Sequence, residues 1–396
     1  MPRVALKPGH VQPVWAGHPW VYAQAIARIE GSTTPGDEVD VVDPRGNLLG
    51  RGLYSPGSAI PVRLYTRRAG ISFDRALLSA RLDAARDRRG AAGLPAPGTT
   101  GYRLVHAEGD ALPGLVVDRF DDVLVVQLGT VGLKRREDLI LETLVRATGA
   151  RAVVDRTSVA TARVERFEAG SGVIRGDRDV SELAFEERRL AYRIPLELKQ
   201  KTGFYFDQRP LRARIERLAA GRRVLDAFCY VGSMALTAAR GGAREVLAID
   251  NSALAVEVGA DLAARNELSG KIGFARADAR EELTRVARRG GCDLVICDPP
   301  KLAPSRAAKK RALAHMAKLA ELAAQATTPG GVLALCSCSA VVSVADLARA
   351  LALGCREVGL RAVILDRVFQ GADHPVPAAF PEGLYLSTLI AQITRT

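Results

Sequence analysis

The chain has 396 residues, of which 48% are hydrophobic and 25% charged, so it is long enough for two or three globular domains. No apolar run is long enough to cross a bilayer and the first residues contain no apolar signal core, so we expect a cytoplasmic protein without a membrane partner. Lys and Arg outnumber Asp and Glu by 56 to 44, giving a net charge of +12. This excess favours nucleic acid as the partner, although an Arg-rich proteome would also explain it.

The first 70 residues predict short strands separated by turns. Apolar and polar residues alternate over 38–43, and strand-like runs follow at 48–54 and 59–66, with Gly and Pro in the turns between them. Many short strands of this kind are typical of a small β-barrel. Apolar residues at helical spacing then predict a helix over 73–90, and the Pro/Gly-rich stretch 91–101 is typical of a linker.

Two further regions differ in their pattern of elements. Residues 102–188 predict a small α+β unit, with strands at 114–120, 122–128 and 151–156 and a helix over 134–148. From 189 onward a hairpin-like stretch leads into strands that alternate with helices, beginning at 223–228. Such βαβ alternation predicts a mostly parallel, doubly wound, Rossmann-like sheet. We therefore predict four segments: 1–70, 71–101, 102–188 and 189–396.

Acidic residues follow three successive strands of the predicted sheet. Asp226 lies near the end of the first strand and Gly232 in the turn that follows, Asp250 ends the second strand, and Asp278 follows the third. An acid after the second strand can bind a ribose hydroxyl, and one after the third can reach an adenine amino group. In this order they resemble class I S-adenosylmethionine-dependent methyltransferases. Each acid alone is also explained as a helix cap. The neighbouring residues that complete this predicted cofactor site are Phe228, Tyr230, Asn251 and Ala279.

Two motifs mark the predicted catalytic edge of the sheet. The fourth strand ends in DPPKL (298–302), whose prolines fix the backbone and place Asp298 and Lys301 near the cofactor's methyl group. The fifth strand ends in CSCS (336–339). A thiolate that adds to carbon 6 of a cytosine activates carbon 5 for methylation, provided that the base is unpaired or flipped out. The strand pattern alone leaves both Cys336 and Cys338 open as the nucleophile.

The six cysteines include no CxxC pair, so we expect no structural metal site. Without an export signal we also expect no disulfide.

Nearly the whole chain resembles the family of large-subunit ribosomal RNA methyltransferases with an N-terminal PUA domain, whose best-known members make 5-methylcytosine. The segments that carry the resemblance are HPWVY (18–22), YSPGS (54–58), DRTSV (155–159), KTGFYFDQR (201–209), DAFCYVGS (226–233), DPPKL (298–302), SCS (337–339) and DHPVPAAFPEGLYL (373–386).

The resemblance implies specific roles for residues. It assigns the nucleophile to Cys338, a ring-holding or proton-donating role to Asp298, and a contact with the base or a phosphate to Lys301. It implies cofactor binding by Asp207, Gln208 and Arg209, with the Arg209 fork suited to the carboxylate of S-adenosylmethionine. The fold expected is a PUA-like barrel, a small α+β domain and a Rossmann-like methyltransferase domain, with ribosomal RNA as partner and a homodimer left open.

The chain departs from the family pattern in places. The family often has Asn where Asp226 stands, and in the helix after DPPK the stretch 316–320 replaces a Tyr-Lys-acid-x-Asn pattern. This departure leaves open another target, such as guanine nitrogen 7, or an RNA-binding protein with a relic catalytic domain. The basic run 305–311 at the start of that helix predicts either contacts with RNA phosphates or a solvated helix face.

Overall fold

The computed structural model describes residues 1–303 and 307–396 of the chain. Contacts divide it into two units, each assembled from separate segments. The first contains Met1–Arg189, Arg193–Phe206 and Ala372–Gly383, and the second contains Leu190–Tyr192, Asp207–Gly371 and Leu384–Thr396. The four segments expected from the sequence stay a prediction. No helix in the described part of the chain is long and apolar enough to span a membrane.

The N-terminal part of the first unit is a six-stranded sheet with one short helix. Its elements are β1 (Arg3–Leu6), α1 (Val11–Trp15), β2 (Trp20–Val21), β3 (Ile26–Glu30), β4 (Glu38–Val42), β5 (Leu48–Tyr54) and β6 (Val62–Thr66), in the spatial order β2-β6-β5-β4-β1-β3. The alternation predicted over 38–43 is realised in β4, where Val39 and Val41 are fully buried. They pack with Val4, Leu6 and Val62 into a separate core.

The rest of the first unit is built on a five-stranded sheet. Its elements are α2 (Arg75–Ala91), β7 (Gly101–His106), β8 (Leu115–Phe120), β9 (Val123–Leu128), α3 (Val131–Lys134), α4 (Glu137–Thr148), β10 (Ala152–Asp155), α5 (Val159–Glu165) and β11 (Gly172–Gly176), with the order β11-β10-β9-β8-β7. Asp74 caps α2 by accepting a hydrogen bond from the amide of Leu77 at 2.9 Å. Leu78 and Leu82 of this helix are buried in the core over the sheet.

Charged side chains are also buried in the first unit. Asp110 is fully buried and Arg89 is 1% exposed. Arg89 Nη1 and Nη2 lie 2.6 and 2.7 Å from the two carboxylate oxygens of Asp110. Arg103 forms a second bidentate pair with the fully buried Asp118, which also accepts a hydrogen bond from Thr202. These pairs tie the turn after β7, strand β8 and the segment before residue 207 into one framework.

A hairpin of β12 (Glu182–Glu187) and β13 (Leu190–Pro195) precedes the second unit's main sheet. That sheet has seven strands: β14 (Arg223–Ala227), β15 (Glu245–Asp250), β16 (Ile272–Arg276), β17 (Cys292–Cys297), β18 (Thr327–Ser337), β19 (Leu360–Phe369) and β20 (Ser387–Arg395). Their order is β16-β15-β14-β17-β18-β20-β19. Only β20 runs antiparallel to both of its neighbours among the pairings described.

Helix α6 (Arg209–Leu218) precedes the first of these strands. The helices described between the strands are α7 (Ser233–Arg240), α8 (Ala253–Arg265), α9 (Ala279–Arg288), α10 (Lys309–Gln325) and α11 (Val344–Glu357). This is the predicted doubly wound, Rossmann-like arrangement. The strand order reverses between β14 and β17, and ligands bind such sheets beyond the carboxyl ends of the strands at this point. The loops after β14 and β17 are therefore the expected position of a ligand-binding site.

Candidate active site

The turn between β14 and α7 has an unusual backbone. Phe228, Tyr230 and Gly232 have φ angles of 66°, 53° and 74°. Residues other than Gly seldom adopt this left-handed region of the backbone. Gly232 is the N-cap residue directly before α7, and a Cβ atom there would lie 2.6 Å from the ring of Phe274. The glycine is thus required both by the backbone angle and by the neighbouring ring. Strained turns of this kind concentrate at ligand sites.

Two of the predicted acids hold this turn in place. Asp226 is buried and its Oδ2 accepts a hydrogen bond from the amide of Ala235 at 3.0 Å. Asp250, at the end of β15, accepts from the amides of Tyr230 and Ser252, both at 2.9 Å. Burial, together with the negative charges of Asp298 and Asp250, raises the pKa of Asp226 to about 8. Near neutral pH this carboxyl is therefore mostly protonated.

The third acid has the role of a helix cap. Asp278 is exposed, lies two residues beyond β16, and accepts hydrogen bonds from the amides of Arg280 and Glu281 at 2.9 and 3.2 Å. Beside these acids, Asn251 is exposed and Ala279 is buried. The cap does not use all the acceptor positions of the carboxylate, so a cofactor role for Asp278 stays a prediction.

The loop after β17 adjoins the end of β18. Pro299, Pro300 and Cys338 line one small cavity together with Met316 and Ser339. The other described residues that line it are Leu302, Ala303, Ala312, Ser337 and Val342. Lys301 is exposed and is not among the described lining residues.

The structure distinguishes the two cysteines of the CSCS motif. Cys336 lies inside β18, is fully buried, and its Sγ is 3.2 Å from the donating hydroxyl of Thr388. Burial and the nearby Asp298 raise the pKa of Cys336 well above that of a free thiol. Cys338 follows the last residue of the strand, is half-buried and lines the cavity. Of the two, only Cys338 lies beyond the strand and is partly exposed.

Other thiols of the second unit are poor candidates for nucleophiles. Cys229 and Cys297 are buried, and desolvation raises the pKa of each. Desolvation also raises the pKa of Cys292 and of Cys355 to about 11. Because the thiolate is the reactive form, these groups are unreactive at neutral pH.

The segment Asp207–Arg209 connects the predicted cofactor and catalytic residues. Asp207 is 3% exposed, and its Oδ2 accepts a hydrogen bond from the hydroxyl of Tyr385 at 2.7 Å. Gln208 Nε2 donates to Asp298 Oδ2 at 2.9 Å, and Arg209 is the first residue of α6. Sequence reasoning missed Tyr385 as a site residue, although it belongs to the segment 373–386 that carried the family resemblance.

The stretch that departs from the family pattern forms part of the cavity wall. Met316 is buried and lines the cavity beside Cys338, whereas Lys318 is exposed and pairs with Glu321 at 2.7 Å. Of the basic run 305–311, Ser305 and Arg306 lie outside the described residues. Lys309 forms an ion pair with Asp346 at 2.6 Å, and residues 310 and 311 are exposed.

The residues around the β14 turn fit S-adenosylmethionine. The turn needs Gly232 where a side chain would collide, which leaves backbone accessible for close approach. Asp250 is only partly buried at a strand end, where it retains acceptor capacity for a hydroxyl. Accessible backbone and a carboxylate acceptor at the switch point of the sheet are groups to which such a cofactor can bind.

Comparisons with known proteins agree with this geometry. A family model described as a PUA-like domain matches residues 4–67, and one described as an S-adenosylmethionine-dependent methyltransferase matches residues 102–354. A protein of Shewanella amazonensis named ribosomal RNA large subunit methyltransferase I is 34% identical over 393 residues, covering 99% of both chains. A protein of the same name from Cronobacter sakazakii is 33% identical over 386 residues, covering 97% of both.

A solved structure shares the fold over the whole chain. It is described as a methyltransferase complexed with S-adenosylhomocysteine, and it superimposes with a TM-score of 0.86 at 17% identity, covering 99% of this chain and 100% of the other. Fold, site geometry and sequence similarity lead to one assignment. The chain belongs to the family of S-adenosylmethionine-dependent methyltransferases with an N-terminal PUA-like domain that includes the proteins named ribosomal RNA large subunit methyltransferase I.

Proposed function

We propose that this protein transfers the methyl group of S-adenosylmethionine to carbon 5 of a cytosine in large-subunit ribosomal RNA, with Cys338 as the nucleophile. The observation that carries the proposal is the position of Cys338, half-buried beyond β18 in a cavity that it shares with Pro299 and Pro300. The relatives' name supplies the class of RNA. The net charge of +12 suits a polyanionic substrate.

The proposed nucleophile activates the carbon atom that is methylated. Carbon 5 of cytosine is a poor nucleophile, so the Cys338 thiolate adds to carbon 6, forming a C–S bond and shifting the ring's electron pair toward carbon 5. S-adenosylmethionine supplies the methyl group that carbon 5 takes up. A general base then takes the carbon 5 proton, the electron pair of that C–H bond re-forms the ring double bond, and the C–S bond breaks with its pair on the released thiolate. The methyl group thus replaces the proton of carbon 5, and Cys338 is regenerated as the thiolate.

Two residues of the loop after β17 assist in this proposal. Asp298 holds the pyrimidine ring or gives it a proton while the adduct exists, since its carboxylate lies at the carboxyl end of a strand adjacent to β18. Lys301 is exposed, which suits a contact with the base or with a phosphate of the RNA. Cofactor binding is assigned to Asp207, Arg209 and the turn at 226–232. A cytoplasmic location belongs to the same proposal.

A pair of cysteine variants tests the mechanism. RNA containing 5-fluorocytosine traps the adduct, because the fluorine at carbon 5 cannot leave as a proton does. We expect the wild type and Cys336→Ala to form this covalent adduct, and Cys338→Ala to form none while still binding S-adenosylmethionine in calorimetry. An adduct with Cys338→Ala, or its loss only with Cys336→Ala, would show that the assignment of the nucleophile is wrong.

The two alternatives left open by the sequence are outcomes of a second measurement. Mass spectrometry of large-subunit RNA from a deletion strain, before and after treatment with the purified protein, identifies the modified atom. We expect 5-methylcytosine to be missing at one position and restored by the protein. A missing methyl group at guanine nitrogen 7 would replace the cytosine proposal. No change in methylation would indicate an RNA-binding protein with a relic catalytic domain.

A further inference from the structure

The side chain of Gln208 is bonded at one end only. Gln208 ends the 3-10 turn before α6 and is 4% exposed. Its Nε2 donates a hydrogen bond to Asp298 Oδ2 at 2.9 Å, and it makes no capping bond to the helix that follows. Its Oε1 is buried and has no hydrogen-bond partner among the residues that the structure describes.

The bond to Asp298 determines which way the amide faces. The nitrogen of the Gln208 amide faces Asp298 and donates to its Oδ2 at 2.9 Å, so the amide oxygen, which can only accept, points the other way. Within the described part of the chain, the bond through Nε2 thus leaves Oε1 as the free acceptor of the side chain. A buried acceptor without a partner is uncommon in folded proteins and needs a specific explanation. An N–H group of a bound ligand provides one.

The neighbours of Gln208 indicate the substrate. Asp298 is followed directly by Pro299 and Pro300, which line the cavity of Cys338, and β17 pairs in parallel with β18 next to that loop. Gln208 is therefore tied to the loop beside the proposed nucleophile. A cytosine whose carbon 6 meets Cys338 carries a 4-amino group with two N–H donors. Uracil carries a carbonyl oxygen at the same place, which a fixed acceptor repels.

We propose that Gln208 is a specificity-determining residue: its amide nitrogen positions Asp298, and its amide oxygen accepts a hydrogen bond from the 4-amino group of the target cytosine. This inference rests on the proposed function, because it requires cytosine as the substrate. It adds a reason why a uracil in the same RNA is rejected. A site that pairs a polar group of the substrate discriminates strongly against an analogue that lacks the group.

The test removes the amide and the amino group in turn. Large-subunit RNA is assembled by ligation with cytidine, uridine or 2-pyrimidinone riboside, which lacks the 4-amino group, at the position mapped by mass spectrometry. For the wild type we expect kcat/KM to be about tenfold or more higher with cytidine than with 2-pyrimidinone. For Gln208→Leu we expect that ratio to fall by about tenfold from its wild-type value, mainly through a slower reaction with cytidine.

Controls separate this role from folding and from cofactor binding. Gln208→Met retains the unbranched shape and is the second variant if Gln208→Leu does not fold. Gln127→Leu removes another partly buried amide, which donates to Arg156 O at 3.1 Å in the first unit, and should keep the wild-type ratio. The Kd for S-adenosylmethionine, measured by calorimetry without RNA, should stay within about threefold of wild type in all variants.

Three results would overturn the inference, and they are distinguishable. A Gln208→Leu protein that keeps the wild-type preference for cytidine shows that the amide does not read the base. A Kd for S-adenosylmethionine that is weaker by about tenfold, with the preference unchanged, assigns Oε1 to the ammonium group of the cofactor instead. A wild-type protein that methylates another atom refutes the proposed function itself, before any variant is made.

Discussion

The hydroxyl of Tyr385 donates a hydrogen bond of 2.7 Å to Oδ2 of Asp207, although 178 residues separate the two in sequence. Asp207 is 3% exposed, and its main-chain oxygen also accepts from the amide of Gly371 at 3.0 Å. The segment 384–386 therefore holds the residue that begins the Asp-Gln-Arg triplet. A buried carboxylate depends on such donors, because burial without them is costly.

We expect Tyr385→Phe to lower the free energy of unfolding by about 1–3 kcal/mol, since it removes a donor from a buried carboxylate. Binding of S-adenosylmethionine should weaken as well if Asp207 holds the cofactor. Tyr205→Phe is the control, because its hydroxyl donates to Gln200 at an exposed site and should cost less than about 1 kcal/mol. Urea denaturation and calorimetry measure the two effects. Equal losses in both variants would contradict the special role of Tyr385.

The glycine of the β14 turn offers a second prediction. Gly232→Ala introduces a side chain at a φ of 74° and within 2.6 Å of the Phe274 ring. We expect it to weaken the binding of S-adenosylmethionine by about tenfold or more, measured by calorimetry. Gly242→Ala is matched in backbone angle, with a φ of 87°, but its nearest neighbour would lie at 3.7 Å. It should cost about 1 kcal/mol of stability and leave the Kd unchanged.

Asp226 makes stability depend on pH. Its pKa is raised from 3.8 to about 8 in the folded protein, so the folded state keeps a proton that the unfolded state loses. The bound proton stabilises the folded state fully below about pH 4, and this contribution is lost as the pH rises to about 8. The free energy of unfolding falls by up to roughly 1.4 kcal/mol per pH unit in this range. Asp226→Asn removes this dependence and retains an acceptor for the amide of Ala235. Between about pH 5 and pH 8, urea unfolding should show the free energy of unfolding of the variant rising relative to that of the wild type. Parallel pH profiles of the two proteins would refute the prediction.

The neutral state of Asp226 also explains a departure from the family pattern. The family often has Asn at this position, and a protonated carboxyl resembles an amide in having one donor and one acceptor face. The two residues can therefore fill the same buried place. We expect Asp226→Asn to retain S-adenosylmethionine binding within about threefold in calorimetry.

The buried pair of Arg89 and Asp110 in the first unit gives a stability prediction. Asp110→Asn leaves the Arg89 guanidinium buried without a carboxylate, and breaking such a pair costs about 3–5 kcal/mol. Asp83→Asn is the control, because Asp83 lies 3.7 Å from Arg86 at an exposed site, where ion pairs contribute less than about 1 kcal/mol. Chemical denaturation of both variants measures the difference. A small loss for Asp110→Asn would show that the pair adds little.

The sequence by itself determined the architecture of the second unit and the places of its motifs. Apolar strands alternating with helices from 223 onward dictate a parallel sheet, because each strand must be covered on both faces. The carboxyl ends of parallel strands meet at one edge, so Asp226, Asp250 and Asp298 were expected there. The helix predicted over 73–90 is observed over Arg75–Ala91, since the apolar spacing that predicts it is local.

Only the tertiary structure decided which side chains meet. Cys336 and Cys338 are equivalent by spacing, but β18 ends at Ser337. Cys336 is therefore buried inside the strand beside β20, whereas Cys338 lines a cavity. The contacts of Gln208 with Asp298 and of Tyr385 with Asp207 join segments 90 and 178 residues apart. Such contacts depend on how strands and loops pack, and no local pattern of residues encodes that arrangement.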